Sequence, residues 1–256
     1  MSRFQNLVWD HTARGGRVEL YGAQSTMKHH HDVIRLACAT ASSGGAQPHK
    51  ISVLQPASGP TQPGFQIIAP AEYLNGVNRR QVADGVILTE CNSAVCIPTG
   101  DCPTLVLIHP KKVVATHAGR EGLKAKSGCA GCTSNVITHA LSFFTETERK
   151  ETTACIVGAI AAKHFAHPDE AGQKLVAPFK LLYGDKYFDG DPTEGKLDMV
   201  RFISDLCVGY GIPANQVIWD GVDTYSNPHL ASHRHQCQRD VGEIHWKRNC
   251  IIAYHT

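Results

Sequence analysis

No apolar run in this 256-residue sequence approaches the roughly 20 residues needed to cross a bilayer, so no helical membrane anchor is expected. Charge of one sign is lacking too. Lys plus Arg number 25 and Asp plus Glu 23, a formal net charge of +2. That balance gives no reason to expect nucleic acid or an anionic membrane as the partner. The opening stretch, Met1 to Asn6, is polar and lacks the apolar core of a secretory signal. The 10 cysteines are therefore expected as reduced thiols of a cytoplasmic protein, many of them packed in the core, rather than as a disulfide framework. No repeat, low-complexity tract or long linker divides the chain. One domain over 1–256, mixed α/β with packed mixed sheets and flanking helices, is the expected architecture.

Short apolar runs rich in Val and Ile, bounded by Gly and Pro, dominate the first two thirds. The pattern predicts strands at Arg17–Tyr21, Ile51–Leu54, Ala83–Thr89, Ala94–Pro98, Thr104–His109, Lys112–His117 and Thr153–Ile160. Val217–Trp219 and Cys250–Tyr254 follow as late strands. Helical spacing predicts helices over Met27–Ala39 and Asn135–Phe144, the latter fading into the charged ETERKE stretch. The best amphipathic helix is Asp198–Tyr210, stopped by Gly211 and Pro213.

Chemistry concentrates in residues 83–122. Cys102 follows a strand and a Gly-Asp turn; His117 ends a later strand. If those strands are neighbours, thiol and imidazole meet at one sheet end. Such a pair suits either a soft-ligand zinc site or a Cys-His nucleophile. His49, in a loop before a strand, is the candidate third ligand of an open catalytic zinc site. The spacing is far from a compact zinc finger, and a buried thiol with two hydrogen-bonded histidines is the bland alternative. Cys129 and Cys132 form a CxxC with no second CxxC; they are expected to be packed or incidental thiols, not a redox pair. The acidic run 185–195 lacks EF-hand spacing and reads as a solvated loop.

Several boxes in order resemble the YfiH family, also called the laccase-domain or polyphenol-oxidase-like family. They are Asp84-Gly85 with Thr89, Asp101-Cys102-Pro103 and His117-Ala118-Gly119 with Gly122. Gln47-Pro48-His49-Lys50 is similar to the family's QVHG. Weaker matches are Val157–Ile160, Leu197-Asp198-Met199 through Ile212, Ser232-His233-Arg234 and Lys247-Arg248-Asn249. The resemblance implies a purine-nucleoside enzyme: phosphorolysis of the glycosidic bond, and deamination of adenosine. It implies zinc on His49, Cys102 and His117, with copper ranked below it. Asp84, Asp101, Arg120, Arg234 and Arg248 would contact a small-molecule substrate, the last two as a cradle for phosphate. The sequence departs from the family where HAGWRG reads HAGREG: Arg120 stands where a Trp is usual and Glu121 where an Arg is usual. His235 replaces a second Arg. A Cys-His hydrolase or deamidase, an editor of cell-wall precursors, and an inactive binding protein are the rival readings.

Overall fold

The computed structural model describes residues 7–22, 38–47, 49–56, 68–73, 81–124, 135–239 and 247–256. Two six-stranded sheets carry the architecture. The first has the order β1 (Leu7–Ala13), β2 (Gly16–Tyr21), β12 (Asn249–His255), β7 (Ser93–Thr99), β3 (Ile51–Pro56), β5 (Gln81–Ala83). The second has the order β11 (Val217–Trp219), β10 (Thr153–Val157), β8 (Thr104–His109), β9 (Lys112–His117), β6 (Gly85–Leu88), β4 (Ile68–Pro70). Both sheets mix parallel and antiparallel pairs: β3 runs parallel to β7, and β8 antiparallel to β9. This is a mixed α/β single domain, as the pattern of strands and helices predicts.

The apolar runs lack alternation because the central strands are covered on both faces. On β8, Val106 and Ile108 join the core between the sheets, while Leu105 and Leu107 point into a second core beneath the helices. On β12, Ile251 and Ala253 face the second sheet. Cys250, Ile252 and Tyr254 face outward, under helical residues 38–43. Helix, sheet, sheet and helices thus stack in four layers. Cys96, Cys155, Cys207 and Cys250 are fully buried free thiols within these cores, and no helix among the described residues is long and apolar enough to span a membrane.

Most predicted strands stand within one or two residues of the observed ones. The helix Met199–Gly209 is capped by the Asp198 carboxylate, which accepts from the Arg201 N–H. One helical expectation changes and one helix is added. Residues 145–150 do not prolong the preceding helix. Thr145 opens a new one, Glu146–Lys150, through a reciprocal capping box with Glu148. The 14-residue helix Glu170–Tyr183 was not expected, because Pro178 interrupts its pattern. Met27–Ala39 falls mostly outside the described residues, as do Cys129 and Cys132.

Candidate active site

Cys102 lies in the turn between β7 and β8, and His117 is the last residue of β9. Strands β8 and β9 form an antiparallel pair in which Thr104 faces His117, so Cys102 is carried to the same sheet end as the histidine. The Ala118 N–H donates to the Pro103 carbonyl at 2.7 Å, closing the two segments together. The His117 N–H donates to the Asp84 carbonyl at 2.8 Å, and the Thr116 hydroxyl donates to the same oxygen at 2.9 Å. Asp84 thus fixes His117 through its backbone. Gly85 is needed beside it, since a Cβ there would sit 2.8 Å from Thr116 Cβ.

Gly119 reports how closely thiol and imidazole converge. A Cβ on this residue would lie 2.8 Å from His117 Cε1 and 3.0 Å from Cys102 Sγ. Both side chains therefore border one small space that glycine leaves open. The Arg120 N–H, at the start of the short helix Arg120–Leu123, hydrogen-bonds to Cys102.

The pair is uncharged near neutrality. Burial pushes the Cys102 thiol up to about 11, and the Asp101 carboxylate adds to the rise; Arg120 and Arg248 act in the opposite sense. Burial pushes His117 down to about 4. Desolvation thus works against a thiolate–imidazolium ion pair and outweighs the nearby arginines.

Asp101 supports the turn. One carboxylate oxygen accepts from the Thr224 hydroxyl at 2.7 Å and the other from the Arg234 N–H at 2.7 Å. The Ile160 N–H donates to its carbonyl at 3.0 Å. Asp101 therefore ties the Cys102 turn to residues 160 and 224 and to the start of the helix His233–Gln238. Both of its side-chain oxygens are engaged by the protein.

Arg120 and Arg248 border the pair, and Arg234 lies with Arg120 at His167. Arg120 Nη1 lies 2.9 Å from His167 Nε2, and its Nε donates to Glu121 at 3.2 Å. Glu121 also takes two bonds from Lys124. Burial would raise the Glu121 carboxyl, but these cationic partners hold it below its usual range. Arg234 Nη1 donates to the Ala166 carbonyl at 2.8 Å, with its guanidinium over the Phe165 ring. Arg248, lowered by burial, feels the charges of Cys102 and Asp101. His235, at the family's arginine position, packs against Tyr225 with ring centroids 5.2 Å apart.

His49 is not part of this cluster. It is exposed, in the turn just before β3. Strand β3 runs parallel to β7 with Ile51 opposite Ala94, and the Gln47 N–H donates to the Asn92 carbonyl. His49 thus sits beside the start of β7, whereas Cys102 follows its end. The seven residues of β7 span about 20 Å at strand rise. At the Cys102 end, β3 finishes with a second Gln-Pro pair, Gln55-Pro56. No group of three or more His, Cys, Asp or Glu side chains suited to a metal occurs among the described residues. Among the described residues, Cys102 and His117 supply two donors, not the three protein ligands of a catalytic zinc site.

His167 is the site residue that sequence reasoning missed. It lies in an irregular segment, FAHPDE, with no periodicity or motif to single it out. Of the residues expected at the site, Cys102, Asp101 and His117 come together, Asp84 joins them through its carbonyl, Arg120 and Arg248 lie beside Cys102, and Arg234 meets Asp101 through its backbone N–H.

Residues 46–245 match the family model described as multi-copper polyphenol oxidoreductase laccase. Among solved structures, the chain is similar to the hypothetical protein YfiH of Bacillus licheniformis. The TM-score is 0.69 at 16% identity, covering 95% of this chain and 97% of that one. YlmD from Geobacillus stearothermophilus gives a TM-score of 0.69 at 14% identity, covering 97% and 99%. A Neisseria meningitidis protein of the DUF152 family model gives 0.65 at 13%, covering 98% and 99%. At these identities the likeness shows the fold. No curated protein matches the chain.

Proposed function

The chain belongs to the multi-copper polyphenol oxidoreductase laccase family, the YfiH family, and from that premise we propose that it cleaves purine nucleosides by phosphorolysis at the Cys102–His117 centre. The observation that carries this reading is an uncharged thiol–imidazole pair bordered by Arg120 and Arg248, with Arg234 beside Arg120 at His167. Guanidinium groups suit a phosphate oxyanion through paired N–H donors. The neutral pair suits the purine, which departs with negative charge on its nitrogens and needs hydrogen-bond donors rather than a competing anion. In this reaction the bond from ribose C1′ to the purine nitrogen breaks, an oxygen of hydrogen phosphate takes its place on C1′, the electron pair leaves with the base, and the proton given up by the phosphate ends on the base. The arginines hold phosphate, and the His117 N–H and the Cys102 S–H donate hydrogen bonds to the departing base.

Zinc on His49, Cys102 and His117 does not fit this arrangement, because His49 stands at the other end of β7. Deamination of adenosine by a metal-activated water draws on a third protein ligand, so the phosphorolytic activity is the one proposed. Nor do two donors furnish the several copper centres of a phenol oxidase. The rival Cys-His hydrolase has its two residues in place, but burial drives their proton affinities away from an activated ion pair.

Incubation with inosine, guanosine and adenosine, with and without inorganic phosphate and followed by chromatography, tests the proposal. Free base should appear only with phosphate. Ammonia released without phosphate would move the assignment to deamination, and binding without turnover would move it to a binding protein.

A further inference from the structure

We propose that His167 is a positioning residue that holds Arg120, together with Arg234, at a phosphate subsite beside Cys102; the inference rests on the phosphorolytic reading above. His167 is 5% exposed. Its Nε2 lies 2.9 Å from Arg120 Nη1 and its Nδ1 lies 3.1 Å from the Gly195 carbonyl oxygen. A guanidinium only donates, so Nε2 must carry the lone pair. A carbonyl only accepts, so Nδ1 must carry the hydrogen. One neutral tautomer satisfies both contacts, and no other form of the ring does. Burial favours that neutral form, and the charges of Arg120 and Arg234 act in the same direction.

The ring is itself tightly held. The His167 N–H donates to the Glu194 carbonyl at 2.8 Å and its carbonyl accepts from the Gln173 amide at 2.6 Å. Phe165 meets it edge-on at 4.6 Å. The same Phe165 carries the Arg234 guanidinium 5.2 Å from its centroid, and Ala166 accepts from Arg234. Residues 165–167 therefore bracket two guanidinium groups at once. Among the described residues, no carboxylate lies within ion-pair distance of the Arg234 side chain, and Glu121 is shared between Arg120 and Lys124. Two like charges brought together in a half-buried place repel each other, and an oxyanion between them removes that cost.

The bracket also answers the sequence departure. Arg120 occupies the place of a tryptophan in the HAGREG box. An arginine entering a buried wall needs an acceptor there, and His167 supplies one. Glu121, one place on, is shared between Arg120 Nε and Lys124.

The test is calorimetric titration of the full chain with inorganic phosphate, using wild type, His167→Ala and His167→Gln. His167→Ala should weaken phosphate binding roughly tenfold, the loss of one hydrogen bond to a charged group. His167→Gln keeps an acceptor towards Arg120 and should recover most of that loss, while giving up the contact to Gly195. The same variants should raise the phosphate KM of nucleoside cleavage and leave kcat within a few-fold, a split that general loosening of the fold would not produce. If wild type binds phosphate and both variants bind it equally well, His167 has no such role, while the phosphorolytic reading stands. If wild type binds none, the subsite and that reading fall together. Should His167→Ala fail to fold, His167→Gln decides alone: binding within about threefold of wild type supports the inference, and loss as large as for Arg120→Ala overturns it.

Discussion

Substituting Gly119 by alanine isolates the thiol–imidazole pair from the rest of the fold. Its backbone, φ −66° and ψ 160°, is one any residue adopts, so alanine carries no conformational penalty. Restricting the unfolded chain would even add stability of about 0.4–1 kcal/mol. The cost lies in the new methyl group, 2.8 Å from His117 Cε1 and 3.0 Å from Cys102 Sγ. Neither neighbour is free to retreat. His117 is anchored through the Asp84 carbonyl, and the Cys102 turn is pinned by Thr99, Asp101 and Pro103. Forcing a methyl into such a place costs about 1–3 kcal/mol. If that cost falls on the reacting geometry, turnover drops by about 5- to 150-fold. Gly122→Ala is the control. Its Cβ would meet Val136 Cγ1 at 3.3 Å and the His117 carbonyl oxygen at 3.6 Å, an ordinary van der Waals contact that touches neither the imidazole nor the thiol. Steady-state cleavage of inosine, with thermal unfolding of the same samples, reads both quantities. Gly119→Ala should lose activity with Tm lowered by no more than several degrees, whereas Gly122→Ala should keep its activity. Full activity in Gly119→Ala would show that the space beside Cys102 and His117 is not where chemistry occurs.

His49→Ala should leave inosine cleavage and metal content within twofold of wild type, because His49 sits at the far end of β7; a loss of a hundredfold or more in turnover would restore it to the centre. Asp101→Asn should destabilise the chain by about 1–3 kcal/mol in urea denaturation, since the carboxylate accepts from both Thr224 and the Arg234 N–H; unchanged stability would remove its role as a clamp. The His117 imidazole is held down to about 4 in the folded chain against 6.5 unfolded. The folded state therefore binds fewer protons between those values, so this contribution is full above about 6.5 and is lost as the pH falls towards 4. Asp220, its carboxyl pushed up to about 6 by burial, acts in the opposite sense but is common to wild type and variant. The stability of His117→Gln should thus fall less steeply from pH 7 to 4.5 than that of wild type, and parallel curves would contradict the burial argument.

Strands buried on both faces announced themselves as continuous Val and Ile runs. Thr104–His109 and Lys112–His117 were therefore legible to the residue. Their pairing brought Cys102 and His117 together, as neighbouring strands require. His49 shows where one sequence runs out. A Gln-Pro-His box before a strand looks the same whether that strand runs parallel or antiparallel to its neighbour, and only the parallel register of β3 on β7 puts the box at the wrong end. His167 was illegible for another reason. Its role depends on Arg120, 47 residues away in sequence, and on no local pattern. The helix Glu170–Tyr183 escaped because Pro178 breaks the expected pattern while the helix still buries Val176 and Phe179. The hydrogen bonds of Asp101 to Thr224 and to the Arg234 backbone were equally hidden, because these partners come from segments distant in the chain.

The central claim is that the arginine-bordered Cys102–His117 pair transfers ribose from a purine to phosphate. Phosphorus-31 NMR of inosine and inorganic phosphate incubated with wild type and with Cys102→Ala tests it most directly. A ribose 1-phosphate resonance should grow with wild type, in step with hypoxanthine, and be at least a hundredfold slower with Cys102→Ala, the loss expected when a group acting in the reacting centre is removed. Hypoxanthine without ribose 1-phosphate, or equal rates in the two proteins, would contradict it.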